Sequence, residues 1–570
     1  MKKLINQPTD VVEEMLQGLC VLQPGSIRLR GHKVLVRADA EEVRDQQVAV
    51  ISGGGSGHEP AHAGYIGAGM LSAAVAGEVF TSPSSDSVFA AIQAVSGRRG
   101  ALLVVKNYTG DRLNFGVAAE MARAEGTAVE MILVNDDVAL RDADTATGSR
   151  GLAGTVLIHK LVGGAAREGK SLTEVAAIGR AAVASLATMG LSFSAGTSPS
   201  VGRPGFELAE DEMELGLGIH GEPGVRRMQL RSGDELTAML LIEIMKHGRF
   251  GPEKRVAIMI NNLGATTEME LAIVARYAVP FLENKGFKVE RIYAGTFLSS
   301  LDMAGVSISV LGIDDERLGW LDADTSAPAW PNASKRSPGQ ADARIAIAGD
   351  AAAGPSIHRG AQTETGRRVK EAIVSACRAL IDAEVELTEM DRVTGDGDLG
   401  VSMRRAAEAL LASANSYPLD DVAATLKQLG LTLQRVMGGS SGPLYGMLFL
   451  RCGSVMDEPN SPALASWAEG LQQGCLAISE MGGAKRGDRT MLDALLPFAD
   501  VVKDAGENVS REILLSAVEA AERGADATAG MAPRVGRSSY LGERVLGHPD
   551  PGAKAVAVWL RGMADGCYRR

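Results

Sequence analysis

Four short apolar runs constrain this chain more than any other feature: Val48–Ile51 (VAVI), Leu102–Val105 (LLVV), Met131–Val134 (MILV) and Val256–Ile260 (VAIMI). Each gives way within a residue or two to Gly or Asn. A strand wetted on one face alternates polar and apolar residues, whereas an unbroken apolar run is buried on both faces. Such runs predict a mainly parallel sheet covered by helices. The pattern persists to about residue 330. From about residue 366 it stops, and VKEAIVSACRALIDAEVELTEMD spaces its apolar residues as a helix does. Similar stretches follow at 419–437, 463–481 and 510–529. The expected class is therefore an α/β part followed by an all-α part.

A chain of 570 residues is too long for one core. Pro, Ala, Ser and Gly dominate 322–365, which predicts an extended linker. The expected division is an α/β domain over 1–330, a linker over 331–365 and a helical domain over 366–570. A Ser-, Gly- and Pro-rich stretch, FSAGTSPSVGRPG, predicts that the first domain has two lobes dividing near 185–215. The net charge of −12 argues against nucleic acid or an anionic membrane as partner. No uncharged apolar run reaches membrane-spanning length, and no apolar segment follows Lys2 and Lys3 as a secretory signal requires. The five cysteines are scattered without a CxxC pair, which fits reduced thiols in the cytoplasm and argues against zinc.

The strand ends carry the chemistry. Ile51–Gly67 reads ISGGGSGHEPAHAGYIG. It lacks the Lys-Ser/Thr of a Walker loop, and counted as GxGxxG from Gly53 its last position is His58. A tight turn needing φ > 0 would explain the glycines alone. The position argues for more, because open α/β sheets gather ligands at the C-terminal ends of their strands. Glycines there let backbone N–H groups approach a small polar ligand. His58, expected to titrate near neutrality, suits general-base work. Lys106, Asn107 and Asp111 follow a second strand in VVKNYTGDRLNFG. His220 stands in LGLGIHGEPG, and the settings GHEP and HGEPG nearly repeat each other.

In the helical part, Asp391, Asp396 and Asp398 crowd into DRVTGDGDLG. Oxygen ligands this close suit a hard cation such as Mg²⁺. An EF-hand is excluded, since position twelve from Asp396 is Ala407. An acidic helix cap is the plainer alternative. GGSSGPLYG (Gly438–Gly446) then opens a helix whose free N–H groups form an anion site. With GGAKRGDRTMLDAL and GRSSYLGERVLGHPDPGA, these segments point to one site for a nucleotide and its metal.

Together these motifs resemble the dihydroxyacetone kinase family, over nearly the whole chain. GGGSGHEPAHAGYIG, KNYTGD, GLGIHGEPG, NNLGATTEMEL and GTFLSSLDMAG match its ketose-binding K domain. TGDGDLG, GGSSGPLYG, GDRTMLDAL and GRSSYLGERVLGHPDPGA match its nucleotide-binding L domain. The resemblance implies a K domain of two α/β lobes with mainly parallel sheets and an L domain built as an antiparallel helical barrel. It implies ATP-dependent phosphorylation of dihydroxyacetone or a similar short ketose, with the four-carbon erythruloses as the alternative. A ketose-sensing regulator without turnover is the reading from another class. The substrate carbonyl would bond covalently to His220 as a hemiaminal, which selects ketose over polyol because an imidazole adds to a carbonyl only. Gly55, Ser56, Gly57, His58, Lys106 and Asp111 match substrate positions, with His58 and Asp111 deprotonating the attacking hydroxyl. Asp391, Asp396 and Asp398 match the ligands of two Mg²⁺ ions. Asp396, Gly397, Asp398, Leu399, Ser440, Ser441, Gly482, Thr490, Met491, Asp550, Pro551 and Gly552 match ATP contacts, and Arg537 is a candidate stabiliser of phosphate charge. Leu399 stands where relatives often carry His or Cys, and GGSSG replaces the usual GGTSG. The family further implies a homodimer in which one subunit's L domain can serve the other's K domain.

Overall fold

The computed structural model describes residues 2–141, 148–222, 224–331, 361–395, 397–437, 441–456, 465–506, 510–535, 537–540 and 542–568. The chain forms two compact units, Met1–Ala343 and Arg344–Arg570. The segment expected to link them lies almost wholly outside the described residues.

The first unit holds two six-stranded sheets. In the first, β1 (Ser26–Arg28), β2 (Val34–Arg37), β3 (Ala49–Ser56), β4 (Ala73–Val79), β5 (Ala101–Lys106) and β6 (Val129–Val134) lie in the order β1-β2-β4-β3-β5-β6. The three pairings among β4, β3, β5 and β6 are parallel. β7 (Leu186–Ser192), β8 (Glu212–Leu215), β9 (Arg226–Gln229), β10 (Arg255–Asn262), β11 (Lys288–Gly295) and β12 (Gly305–Gly312) form the second, ordered β11-β10-β12-β7-β8-β9. All four apolar runs lie in these strands, at β3, β5, β6 and β10.

Alternate residues of the central strands serve different cores. Val50, Leu102 and Val104 face a core that contains helix Thr155–Arg167. Ile51, Leu103 and Val105 face one built with helices Ser85–Val95 and Thr109–Ala124. The first of these cores continues into Ala257, Met259 and Leu311 of the second sheet. On that sheet's other side, Val256, Ile258 and Ile260 pack with helices Gly233–His247 and Glu268–Asn284. The α/β class therefore holds, but strand direction in the second sheet differs from expectation. Only β10–β11 is parallel there, and the other four pairings are antiparallel. Apolar runs report burial on two faces, and helices cover both faces of this sheet whichever way its strands run.

Asp136, fully buried after β6, ties the two sheets together. Its carboxylate accepts from the N–H of Leu152 (2.7 Å), the N–H of Gly154 (3.0 Å) and the hydroxyl of Thr188 on β7. Burial pushes this carboxyl up, against which the three donors work.

Among the described residues the second unit is entirely helical. Helices Val422–Val436, Ser441–Met456, Ala465–Gly482, Leu492–Ala505, Arg511–Ala527 and Pro551–Cys567 pack each against the next. Pro551–Cys567 then packs on Glu364–Asp382, which reaches Val422–Val436 again through Leu399–Ser413, closing a ring. Pro551–Cys567 packs closely on Glu364–Asp382 because Gly562 and Gly566 face that helix: a Cβ would fall 2.7 Å from Ser375 O and 2.4 Å from Glu371 O. The ring encloses an apolar cavity of about 470 Å³. No described helix is long and apolar enough to cross a membrane.

Asp136→Ala strands three buried donors, and is expected to cost roughly 3–5 kcal/mol of first-unit stability. Hydrogen exchange should show the amides of Leu152 and Gly154 losing protection, with Asp136→Asn intermediate. Unchanged protection in Asp136→Ala would refute the tie.

Candidate active site

Three loops of the first unit converge around His220. The loop after β3 carries His58, the end of β5 carries Lys106, the loop and helix start that follow carry Tyr108 and Asp111, and the segment after β8 carries His220 itself. Ring centroids of Tyr108, His58 and Phe80 lie 4.5, 4.8 and 5.5 Å from that of His220.

A strap after β11 pins these loops together. Ser299 O lies 2.9 Å from His58 Nδ1. Leu301 N–H donates to Gly57 O (2.8 Å), and the Ser300 hydroxyl donates to Ile219 O (2.6 Å), beside His220. Asn261 folds the strap, accepting from the N–H of Phe297 and Leu298 and donating to Leu298 O. The motifs NNLGATTEMEL and GTFLSSLDMAG thus act on the site through backbone geometry. The end of the first is a capping box, in which Thr267 and Glu270 bond each other's N–H.

The bonds fix the imidazole tautomers. A carbonyl only accepts, so His58 carries its proton on Nδ1 and leaves Nε2 unprotonated. That Nε2 is buried without a partner. Burial pushes His58 well below the usual imidazole range, and the nearby charges of His220 and Lys106 add to this. The near-neutral titration expected from sequence is therefore not what the fold provides. Desolvation wins, and the ring stays neutral. His220 Nδ1 lies 3.4 Å from Glu222 Oε1, and its backbone N–H donates to Glu222 Oε2 (2.8 Å). A carboxylate only accepts, so the free lone pair of the neutral ring is on Nε2. Burial alone would raise Glu222, but its bonds to His220 bring it down to about 2.

Sequence reasoning passed over Glu222, Phe80, Tyr108 and Ser299. The first had left a signal in the near-repeat of GHEP and HGEPG. In both loops a glutamate folds back onto the N–H two residues before it, Glu59 onto Gly57 and Glu222 onto His220. Gly57 can take its place because φ is +99° there. Ser56 spends its hydroxyl on Gly77 O (2.7 Å), and Gly55 lies where a Cβ would meet Thr81 N at 2.6 Å. Both brace the turn at Phe80, whose own φ is +58°. Lys106 Nζ donates to Gly53 O (3.2 Å) and is buried, as is Asp111. Besides His58 Nε2, Asp111 Oδ1 and Tyr108 Oη are buried without partners. Buried polar atoms rarely go unpaired, and several around one imidazole mark a place for a small hydroxylated ligand.

In the second unit, Asp391 closes a turn on itself. Its Oδ2 accepts from the N–H of Asp398 (3.0 Å) and Leu399 (3.1 Å) at the start of helix Leu399–Ser413. Leu399 takes part through its backbone, so its side-chain departure leaves this bond intact. Gly397 adopts φ +76°, and a Cβ on Gly395 would fall 2.3 Å from Asp391 Oδ1. Asp550 caps helix Pro551–Cys567, which opens with Pro551 and Gly552, through a bond from Ala553 N–H (2.8 Å). Thr490 N–H donates to Asp493 (2.8 Å), Met491 precedes helix Leu492–Ala505, Gly482 ends Ala465–Gly482, and Ser441 begins Ser441–Met456. Burial, with Asp493 and Asp391 adding repulsion, raises Asp550 to about 6 despite Arg489 at 3.9 Å. A buried carboxyl raised by two carboxylate neighbours is a setting in which a hard cation would be favourable. Among the described residues no three such side chains converge on one point. The expected third ligand, Asp396, lies outside them, as do Ser440 and the Arg537 side chain.

Each unit matches a known domain. The Dak1 domain matches residues 17–329 and the DAK2 domain residues 393–565. The chain is 44% identical over 582 residues to the putative 3,4-dihydroxy-2-butanone kinase of Solanum lycopersicum, covering 99% of this chain and 98% of that protein. It is 41% identical to the triokinase/FMN cyclase of Homo sapiens, covering 99% of each. It also superposes on the crystal structure of the C. freundii dihydroxyacetone kinase in complex with AMP-PNP and Mg²⁺, at TM-score 0.60 and 33% identity, covering 99% of each chain.

The buried imidazoles allow a direct check. His58 and His62 are both pushed well below the usual range by burial, and His159 is lowered to about 3. A histidine whose folded pKa is depressed stabilises fully above its unfolded value, about 6.5, and withdraws that stability as pH falls below it. Ring signals of these three histidines should stay flat between about pH 7.5 and 5.5 in NMR titration, over the window spanning that unfolded value. A midpoint near the unperturbed value in any of them would contradict the assignment. Two domain matches spanning most of the chain and full-length relatives at 41–44% identity show that this chain belongs to the dihydroxyacetone kinase family.

Proposed function

We propose that this chain is an ATP-dependent kinase that phosphorylates a terminal hydroxyl of dihydroxyacetone or a similar short ketose. One observation carries the reading: His220, its Nδ1 held by Glu222, sits among buried polar atoms that lack partners. In the covalent step, Nε2 bonds to the carbonyl carbon and the C=O π pair moves to the oxygen, which takes up a proton. That proton is the one the ring gives up from Nδ1, relayed by way of Glu222, which ends as the carboxylate it began as, so one proton moves from nitrogen to oxygen and the hemiaminal is neutral. Ketose hydroxyls then pair with Lys106 and Asp111, and His58 Nε2 accepts a hydroxyl hydrogen bond. As a neutral ring of depressed pKa, His58 orients that hydroxyl, and the Asp111 carboxyl is the second candidate for its proton.

Asp391 and Asp398, with Asp396, would hold Mg²⁺, which when bound neutralises charge on the transferring phosphoryl group. The helix starts at Ser441, Leu492 and Pro551 offer N–H groups to ATP phosphates. The same reading includes a cytoplasmic homodimer in which the L domain of one subunit serves the K domain of the other. Sedimentation at micromolar concentration checks the dimer, which a monomeric mass would refute.

Dihydroxyacetone, glyceraldehyde and the erythruloses, each with ATP and Mg²⁺, are the decisive substrates. Turnover of at least one is expected, and phosphorylation of none would overturn the reading. Mass spectrometry should detect a ketose adduct on the wild-type protein and none on His220→Ala. Asp398→Asn should lower kcat by roughly 10²-fold or more, about 3 kcal/mol of transition-state stabilisation, while adduct formation persists. Equal loss of both would indicate misfolding in place of a ligand role.

A further inference from the structure

Two buried histidines stand behind the site without a part in it. Lys106 Nζ lies 2.6 Å from His62 Nε2, and His62 Nδ1 lies 3.0 Å from His159 Nε2. Lys106, His159 and Ser52 are fully buried, and His62 is 6% exposed. Carrying a cation into such a place demands acceptors for its N–H groups. Lys106 has Gly53 O and His62 Nε2, which leaves its remaining N–H for a ligand.

The bond pattern admits a single assignment around a charged lysine. An ammonium only donates, so His62 Nε2 is unprotonated and the neutral ring keeps its proton on Nδ1. That N–H points at His159 Nε2, which must accept. The proton of His159 is then on Nδ1, a buried atom with no partner. Ser52 donates its hydroxyl to Val104 O (2.7 Å) and turns its oxygen toward His62 Nδ1 at 3.4 Å. Burial lowers both imidazoles, which keeps them neutral beside the cation. Gly54 makes the arrangement possible, since a Cβ there would fall 2.6 Å from Lys106 Nζ.

We propose that His62 is a positioning residue that aims the Lys106 ammonium at the ketose, and that His159 holds His62 in the tautomer this requires. The inference rests on the proposed ketose site, and it adds a buried array that sets the lysine's direction. If these histidines merely filled space, an apolar residue of similar size would serve as well.

The test uses the full chain with three variants. His62→Leu removes the acceptor, and should raise the KM for ketose roughly 10- to 100-fold while the KM for ATP stays unchanged. His62→Gln places an amide oxygen near the Nε2 position and should recover most of that loss. His159→Phe should give an intermediate KM. In the wild type, ¹⁵N NMR of selectively labelled histidine should show His62 with an unprotonated Nε2 and a protonated Nδ1. The opposite tautomer would overturn the inference, even if His62→Leu fails to fold. So would an unchanged ketose KM in His62→Leu, or a His62→Gln no better than His62→Leu. Failure of the wild type to phosphorylate any short ketose would instead sink the proposed function, so the two failures are distinguishable.

Discussion

The first-unit site depends on one strap, Ser299–Leu301. It fixes the His58 tautomer through a carbonyl, anchors the glycine loop through Leu301 N–H, and holds the His220 segment through the Ser300 hydroxyl. Without it, the loop after β3 and the segment after β8 would have no common reference. The strap belongs to the second sheet, whereas His58 and Lys106 belong to the first. Core packing continuous from one sheet to the other, reinforced by Asp136, is what allows hydrogen-bond precision between them. Two sheets here build one site.

Burial sets the chemistry of that site. His58 and Lys106 are both shifted toward their neutral forms by desolvation, and Asp111 and Asp136 oppose this for the lysine. Neutral imidazoles suit a nucleophile and a hydrogen-bond acceptor, since a protonated ring could be neither. With Glu222 on its Nδ1 side, His220 in its neutral form has its lone pair on Nε2. The second unit solves a different problem, gathering carboxylates and helix N-termini. There Asp391 and Asp493, from separate segments, both act to raise the buried Asp550.

Much of this was legible in the sequence, for physical reasons. The apolar runs at β3, β5, β6 and β10 announced strands buried on both faces, and the change of period marked the helical unit. Antiparallel pairing of β12 with β10 and β7 was not legible, because burial on two faces does not encode direction. His58, Lys106, Asp111 and His220 were visible as chemistry-bearing residues at strand ends. The roles of Ser299 and Ser300 were not, since both act through contacts across long sequence separations. His62 was hidden differently. It stands within a quoted motif, yet nothing local shows that its ring meets a lysine from another strand and a histidine from a helix. Its depressed pKa, like that of His58, is a property of the folded interior and has no sequence signature.

The central claim is that His220 Nε2, freed by Glu222, bonds to a ketose carbonyl. Adding [2-¹³C]dihydroxyacetone to protein carrying ¹⁵N-labelled histidine tests it in a single spectrum. The account predicts a tetrahedral ¹³C signal with a one-bond coupling to an imidazole ¹⁵N, and its disappearance in His220→Ala. A bound ketose whose carbon stays trigonal, or a tetrahedral carbon without that coupling, would contradict it.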